Sequence, residues 1–285
     1  MQKIETTRRG FLGAAAGIAG LGAVAAPNAA ARIEPAPWGI KLGIATYSLR
    51  KFDRPKAIEM IKAIQTPWIS IKDVHLKQTL TPAELEAARK EFEAAGLKIT
   101  SGGNVDMTKD TTIDALRKRF EYAKYAGMPM MVCAPTHDNL KMVETLVKEY
   151  NIRIAIHNHG PEDKNFPTPQ SVLKAVDGLD PRCGLCMDVG HSARTGVDVV
   201  KSIAEAGTRL IDMHVKDLAN LMNKDSQCDV GDGDMPFPAI FKQLKKMNYQ
   251  GCVNLEYEIK EDDPLPGMQR SFSYMRGVLA ALAAA

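Results

Sequence analysis

Eight short apolar runs, each followed after a brief turn by an amphipathic stretch, restrict this chain to very few architectures. The runs lie at 40–46, 68–74, 97–101, 130–133, 152–156, 184–188, 210–215 and 252–257, and read as strands. Helical patterns occupy 55–65, 81–95, 110–126, 140–150, 169–176, 197–206, 238–247 and 268–283. In the first of these, Ile58, Ile61, Ala63 and Ile64 make an apolar stripe. Thr81-Pro82-Ala83-Glu84 is a helix N-cap with proline at the first helical position, and Gly96 and Gly127 stop the helices before them. Strands that alternate with helices through short turns form a parallel sheet. Eight such units predict an α/β chain closed into a (β/α)8 TIM barrel. An open doubly wound sheet is the alternative.

The beginning of the chain has a different character. Thr6-Thr7-Arg8-Arg9-Gly10-Phe11-Leu12 opens an Ala/Gly-rich apolar run to Ala26, and Ala29-Ala30-Ala31 offers a small-residue cleavage site. This pattern predicts a twin-arginine signal peptide over 1–31, a linker rich in Pro over 32–39 and a barrel over 40–285, hence a periplasmic or other extracytoplasmic protein. The apolar run is shorter than the roughly 20 residues of a membrane span, and it holds no cysteine for a lipid anchor, so no stable membrane anchor is expected. Removing 31 of 285 residues leaves a length close to the roughly 250 of such barrels. The formal net charge is +3, and Lys3, Arg8 and Arg9 against Glu5 account for most of it. A nearly neutral remainder gives no electrostatic basis for binding nucleic acid or an anionic membrane. Five cysteines, an odd number, argue against a disulfide framework. Cys183 and Cys186, three apart on a strand, should point to opposite faces rather than form a redox pair.

The chemistry gathers at strand ends. Cys183-Gly184-Leu185-Cys186-Met187-Asp188-Val189-Gly190-His191 reads as a buried strand running into a glycine turn, with a carboxylate and, three residues later, an imidazole. Ile211-Asp212-Met213-His214-Val215-Lys216-Asp217 repeats the plan, and Val253-Asn254-Leu255-Glu256-Tyr257-Glu258 ends a third strand in carboxylates. All six histidines, His75, His137, His157, His159, His191 and His214, fall at or just past predicted strand ends, the rim where barrel active sites are built. Asp188, His214 and Glu256 are therefore candidate ligands of one divalent ion. His191 suits a substrate contact or a donor behind the ligands. Lys216 shares the inward face with His214, unless it forms a rim ion pair with Asp212 or Asp217. Glu256 or His159 can serve as base. Lys72, His75 and Glu258 are placed to bind substrate hydroxyls, whereas Trp38 and Trp68 read as packing. The long polar loop 218–236 has the makings of a cover over the site.

These motifs resemble the xylose isomerase-like TIM barrels, the superfamily of sugar phosphate isomerases and epimerases and of endonuclease IV. The likeness rests on Asp188-x-x-His191, His214-Val-Lys-Asp217 and Leu255-Glu256-Tyr257-Glu258. It is extended by Gly231-Asp232-Gly233-Asp234 before Phe237-Pro238-Ala239-Ile240 and by Thr46-Tyr47-Ser48. The resemblance implies a mononuclear divalent site with one ligand from each of strands five to eight. The strand-five ligand of such proteins is usually a glutamate; here Ile156-His157-Asn158-His159 puts His157 there, with Glu162 the fallback. The family's epimerases use glutamates on strands five and eight on opposite sides of the substrate carbon, and this chain lacks the first. A His157, Asp188, His214, Glu256 set favours Mn, Fe, Co, Ni or Zn over Mg.

Such a site can hold a sugar's carbonyl and adjacent hydroxyl and stabilise the enediolate formed when a neighbouring C–H is deprotonated. The expected activity is a metal-dependent isomerase or epimerase of a free sugar or keto-sugar. The alternative is a lyase or hydratase (dehydratase) on a keto-sugar or inosose through the same site. A DNA-repair endonuclease fits poorly with the charge and ligand count, and a non-catalytic sugar binder is the remaining reading. No glycine-rich loop opening a helix suggests a phosphate on the substrate. The sequence leaves a homo-oligomer open.

Overall fold

The computed structural model of the protein describes residues 39–284. The proposed signal peptide, nearly all of the linker and Trp38 lie outside the described residues. Eight parallel strands close a barrel: β1 (Lys41–Ala45), β2 (Trp68–Ile71), β3 (Lys98–Asp106), β4 (Met130–Ala134), β5 (Arg153–His157), β6 (Cys183–Asp188), β7 (Leu210–Val215) and β10 (Cys252–Leu255). The two short strands β8 (Asp217–Leu218) and β9 (Gln227–Cys228) pair antiparallel outside it. Around the barrel run α1 (Arg54–Ile64), α2 (Pro82–Ala94), α3 (Ile113–Tyr125), α4 (Leu140–Tyr150), α5 (Pro169–Val176), α6 (Val189–Arg194), α7 (Val199–Ala206), α8 (Phe237–Lys246) and α9 (Leu265–Ala284). The closed barrel, not the open sheet, is the outcome. Among the described residues no helix is long and apolar enough to cross a membrane.

The helix starts follow local chemistry. Thr81 accepts from the Glu84 N–H while Glu84 reaches back to the Thr81 N–H, a reciprocal cap. Thr168 and Ser171 form a second reciprocal cap on α5, and the Asp53, Thr112 and Asp198 side chains accept from the first-turn N–H groups of α1, α3 and α7. A large apolar layer, including Ile44, Phe92, Phe120, Phe241 and Phe272, fills the space between strands and helices. A smaller cluster, Met130, Val132, Ala155, Cys186 and Ile211, is separate from it. Cys183 belongs to the first cluster and Cys186 to the second, as alternation along one strand requires. All five cysteines are free.

Three departures from the expected elements bear on the site, one of them the end of β2 at Ile71 rather than at residue 74. β3 was expected over 97–101 but runs to Asp106, pairing Gly102 with Met131 and Val105 with Cys133 across a register shift. A Cβ at Gly103, whose φ is +123°, would lie 1.9 Å from the Val132 carbonyl oxygen, so glycine alone lets the strand continue there. The glycine turn expected after Asp188 is instead the start of helix α6, because the Asp188 side chain accepts from the His191 N–H and caps it.

Candidate metal centre

The barrel register brings the ligand row together. Asp188 on β6 lies opposite His214 on β7, His214 lies opposite Asn254 on β10, and the Glu256 N–H donates to the Val215 carbonyl. His157 ends β5 beside Cys186. The result is four buried residues, His157, Asp188, His214 and Glu256, each offering a ligand atom within 4.8 Å of the others. His157 Nε2 is 3.7 Å from Asp188 Oδ2, and His214 Nδ1 is 3.5 Å from Glu256 Oε2. Both ring nitrogens of His214, Nδ1 of His157 and Oδ2 of Asp188 are buried without a hydrogen-bond partner. Buried nitrogens and a carboxylate oxygen that make no hydrogen bond are costly unless something binds them, and a divalent cation taking N and O ligands fits this set. A second grouping, His157, Cys186 and His214, also brings ligand atoms within that distance, but it offers three donors against four and no carboxylate.

The electrostatics favour the metal-binding forms of Asp188, Glu256 and His214. Burial opposes ionisation of Asp188, but the nearby Lys216 ammonium outweighs it and holds the carboxyl well below the carboxylate range. Burial likewise opposes ionisation of Glu256, and the Lys72 and Lys216 ammonium groups overcome it and hold it well below its ordinary range. Burial, reinforced by Lys72, lowers His214 to about 4. Burial lowers His191 to about 3 and also lowers His159. The carboxylates are thus anionic and these imidazoles neutral at neutral pH, as metal ligation and general-base work require.

Two lysines complete the floor. Lys72 Nζ is 3.0 Å from Glu256 Oε1. Lys216 Nζ is 3.3 Å from both Asp188 Oδ2 and Glu256 Oε2, and it pairs with Glu258. Lys216 therefore faces the site and does not form a rim pair with Asp212 or Asp217. Asp212 is taken by Ser101 and Asn254, and Asp217 by the backbone N–H groups of Leu218, Gly231, Gly233 and Met235.

Four histidines, His157, His159, His191 and His214, meet with ring centroids 4.4 to 5.7 Å apart. The other two do not join them. β2 ends at Ile71, and the following turn leaves His75 buried with its Nε2 at the Phe52 carbonyl, outside the cavity walls. His137 is exposed and packs on Phe166. Glu162, the fallback ligand, is held by Arg194 in two hydrogen bonds of 2.6 and 2.9 Å and does not enter the ligand set. His157 holds the strand-five place.

Above the ligands, a chamber of about 210 Å³ is lined by Tyr47, Lys72, His157, His191, Glu256 and Glu258, among others. A second cavity of about 560 Å³ shares His159, His191 and Glu258 with it. The loop 218–236 forms one wall of this outer cavity through Leu218, Lys224, Asp225 and Gln227, and the four bonds to Asp217 pin it. Several contributors were not anticipated. Asn158 bonds the Asp188 backbone on both sides and reaches Ser192. The Gln227 amide donates to the Glu256 carbonyl and accepts from the Glu258 N–H, fixing the backbone between the two carboxylates. Arg194 bonds His191.

The fold and site define an α/β barrel with a buried His-Asp-His-Glu set at its carboxyl mouth that could hold a metal ion. The chain belongs to the xylose isomerase-like TIM barrel family, whose profile matches residues 56–278. Among curated proteins it is similar to the inosose dehydratase of Mesomycoplasma hyopneumoniae, 24% identical over 152 residues, 47% of this chain and 50% of that protein. The chain spans half or less of the length of this and other curated relatives it matches. Among solved structures it is similar in fold to the IolI protein with a bound zinc atom (16% identical, 85% of this chain, 99% of that chain, TM-score 0.70). D-psicose 3-epimerase is a second such neighbour (17% identical, 85% and 98% covered, TM-score 0.66).

Proposed function

We propose that the protein is a divalent-metal-dependent enzyme that removes a proton beside the carbonyl of a free sugar or keto-sugar and returns it as an isomerase. The observation that carries this reading is the buried His157, Asp188, His214 and Glu256 set, with unpaired ligand atoms, opening into a cavity of sugar size. When bound there, a divalent ion supplies Lewis acidity toward the substrate's carbonyl and neighbouring hydroxyl. The chain's own residues do the rest. Glu256, ionised, is the carboxylate base, with neutral His159 the second candidate. Lys72 and Lys216 lie on either oxygen of Glu256 and stabilise negative charge growing on the enediolate. Lys216 is held as a cation because Asp188, Glu256 and Glu258 overcome its burial. It therefore suits charge stabilisation better than proton donation to a leaving hydroxyl. Zinc, manganese, cobalt or iron fits two imidazoles better than magnesium does.

A one-carboxylate arrangement supports proton return on one face, or loss of a β-hydroxyl, better than a symmetric two-base epimerisation. His157 stands where the second carboxylate would be, and Glu162 is committed to Arg194. The same observation, with the similarity to inosose dehydratases, favours as the second reading a lyase on a keto-sugar or inosose. The decisive experiment is metal analysis of the purified protein followed by a keto-sugar and inosose panel in deuterated water. Deuterium entering the substrate with oxygen retained supports isomerisation, and loss of water supports the lyase. Neither process with any metal tested would leave sugar binding without catalysis. Export by the twin-arginine route belongs to the proposal on the strength of Arg8-Arg9 and the run to Ala26.

A further inference from the structure

Helix α6 sets His191 and Arg194 three residues apart, on one face of a helical turn. Arg194 Nη2 lies 2.8 Å from His191 Nδ1. A guanidinium carries five N–H donors and no acceptor, and it stays charged throughout the range in which proteins fold. The contact works in one sense only: His191 Nδ1 accepts, and the proton of the neutral ring sits on Nε2. Arg194 is itself buried and held from the other side by Glu162. Gly160 keeps that place open, since a Cβ there would come within 2.6 Å of Arg194 Nη2. Nε2 of His191 lies 3.9 Å from Asp188 Oδ2, and the residue lines both the inner and the outer cavity. The His191 backbone N–H is tied to Asp188 Oδ1.

We propose that Arg194, set by Glu162, is a positioning residue that locks His191 in its Nε2–H form, so that the site holds a standing N–H donor for an acceptor oxygen of the substrate, a carbonyl or enolate rather than a donating hydroxyl. The substrate side of this rests on the function proposed above; the tautomer does not. A histidine free to exchange tautomers would present a lone pair to the cavity part of the time and would bind a hydroxyl hydrogen equally well. With Nδ1 occupied by a permanent cation, that alternative is closed.

Side-chain ¹⁵N NMR of the zinc-loaded full chain tests it without any turnover. His191 is assigned by the signal missing from His191→Gln. The wild-type protein should show Nε2 protonated and Nδ1 unprotonated, with Nδ1 displaced upfield by the hydrogen bond it accepts. Arg194→Met should lose that displacement and admit the Nδ1–H form, and Arg194→Lys, which keeps a donor, should restore it in part. A protonated Nδ1 in the wild type overturns the proposal even if no variant folds. An Nδ1 signal unchanged in Arg194→Met overturns it as well. If the tautomer is as stated and no sugar is ever turned over, the function proposal fails alone.

Discussion

Replacing Lys216 by methionine takes one buried cation away from three carboxylates, and the geometry sets what should follow. The Lys216 side chain is 5% exposed, and Asp188 and Glu256 beside it are 0% and 8% exposed. At 3.3 Å and an effective dielectric near 20, each of these two pairs carries about 5 kcal/mol of gross Coulomb energy. Most of that offsets the desolvation of the charges. Glu258, 37% exposed, adds little once solvent screening is counted. Truncation leaves Asp188 with no other ammonium within ion-pair distance among the described residues, and Glu256 with Lys72 alone. Breaking a buried pair from one side costs about 3–5 kcal/mol, and a barrel of this size loses about 2–4 °C in Tm per kcal/mol. The metal-free variant should therefore melt roughly 6–20 °C below the wild type. A divalent ion reaching the same oxygens replaces the missing positive charge, so the metal-loaded variant should recover most of the loss. It should also bind zinc or manganese more tightly than the wild type, because no ammonium competes for Asp188 Oδ2 and Glu256 Oε2. Calorimetric melts of metal-stripped and metal-loaded proteins, with titration of the metal, measure both quantities. An equal loss of Tm with and without metal, or weaker metal binding by the variant, would refute the reasoning.

Asn158→Ala removes the amide that brackets the Asp188 backbone and bonds Ser192. It should weaken metal binding about 10–100-fold, as loss of a partner behind a ligand does, and an unchanged dissociation constant by calorimetry would count against that role. Acidification should destabilise the metal-free protein. His214 sits at about 4 in the fold against an ordinary 6.5, so the unfolded chain binds a proton the native state refuses between those values. Stability is then full above pH 6.5 and falls toward pH 4, by about 3 kcal/mol from this residue. The depressed carboxyls of Asp188 and Glu256 push the same way below their ordinary range. Urea midpoints between pH 7 and 4.5 check this, and His214→Gln should flatten the slope. Gly43→Ala places a Cβ 2.3 Å from Asn254 Oδ1 and 3.2 Å from the Trp68 carbonyl; it should cost about 1–3 kcal/mol by overpacking, and an unshifted urea midpoint contradicts it.

The parts of this protein that could be read in advance share a physical property: they depend on parity along a single strand. Asp188, His214 and Glu256 each end a run whose alternate residues face inward, so their convergence follows once eight strands close. Lys216 was legible for the same reason, two residues after His214. His75 shows where that logic stops. Three residues separate it from the end of β2, and the turn they form carries its ring to the Phe52 carbonyl. Helix α6 was missed because it has six residues, one of them Gly190, and too little length to show a period. Its existence depends on the side chain of Asp188, which has two tasks. Oδ1 caps the helix, and Oδ2, which makes no hydrogen bond, faces the candidate ligands and the Lys216 ammonium. A residue that ends a strand, starts a helix and faces a candidate metal site fixes three elements at once, and its neighbours are recruited from elsewhere in the chain. Asn158 reaches Asp188 from 30 positions away, Glu162 reaches Arg194 from 32 and Gln227 reaches Glu256 from 29. These partners carry no periodic signature, since the register of adjacent barrel units, not the local pattern, decides whom they meet. The ligands are therefore local and readable, while the groups that hold them in orientation become visible only when the barrel has closed.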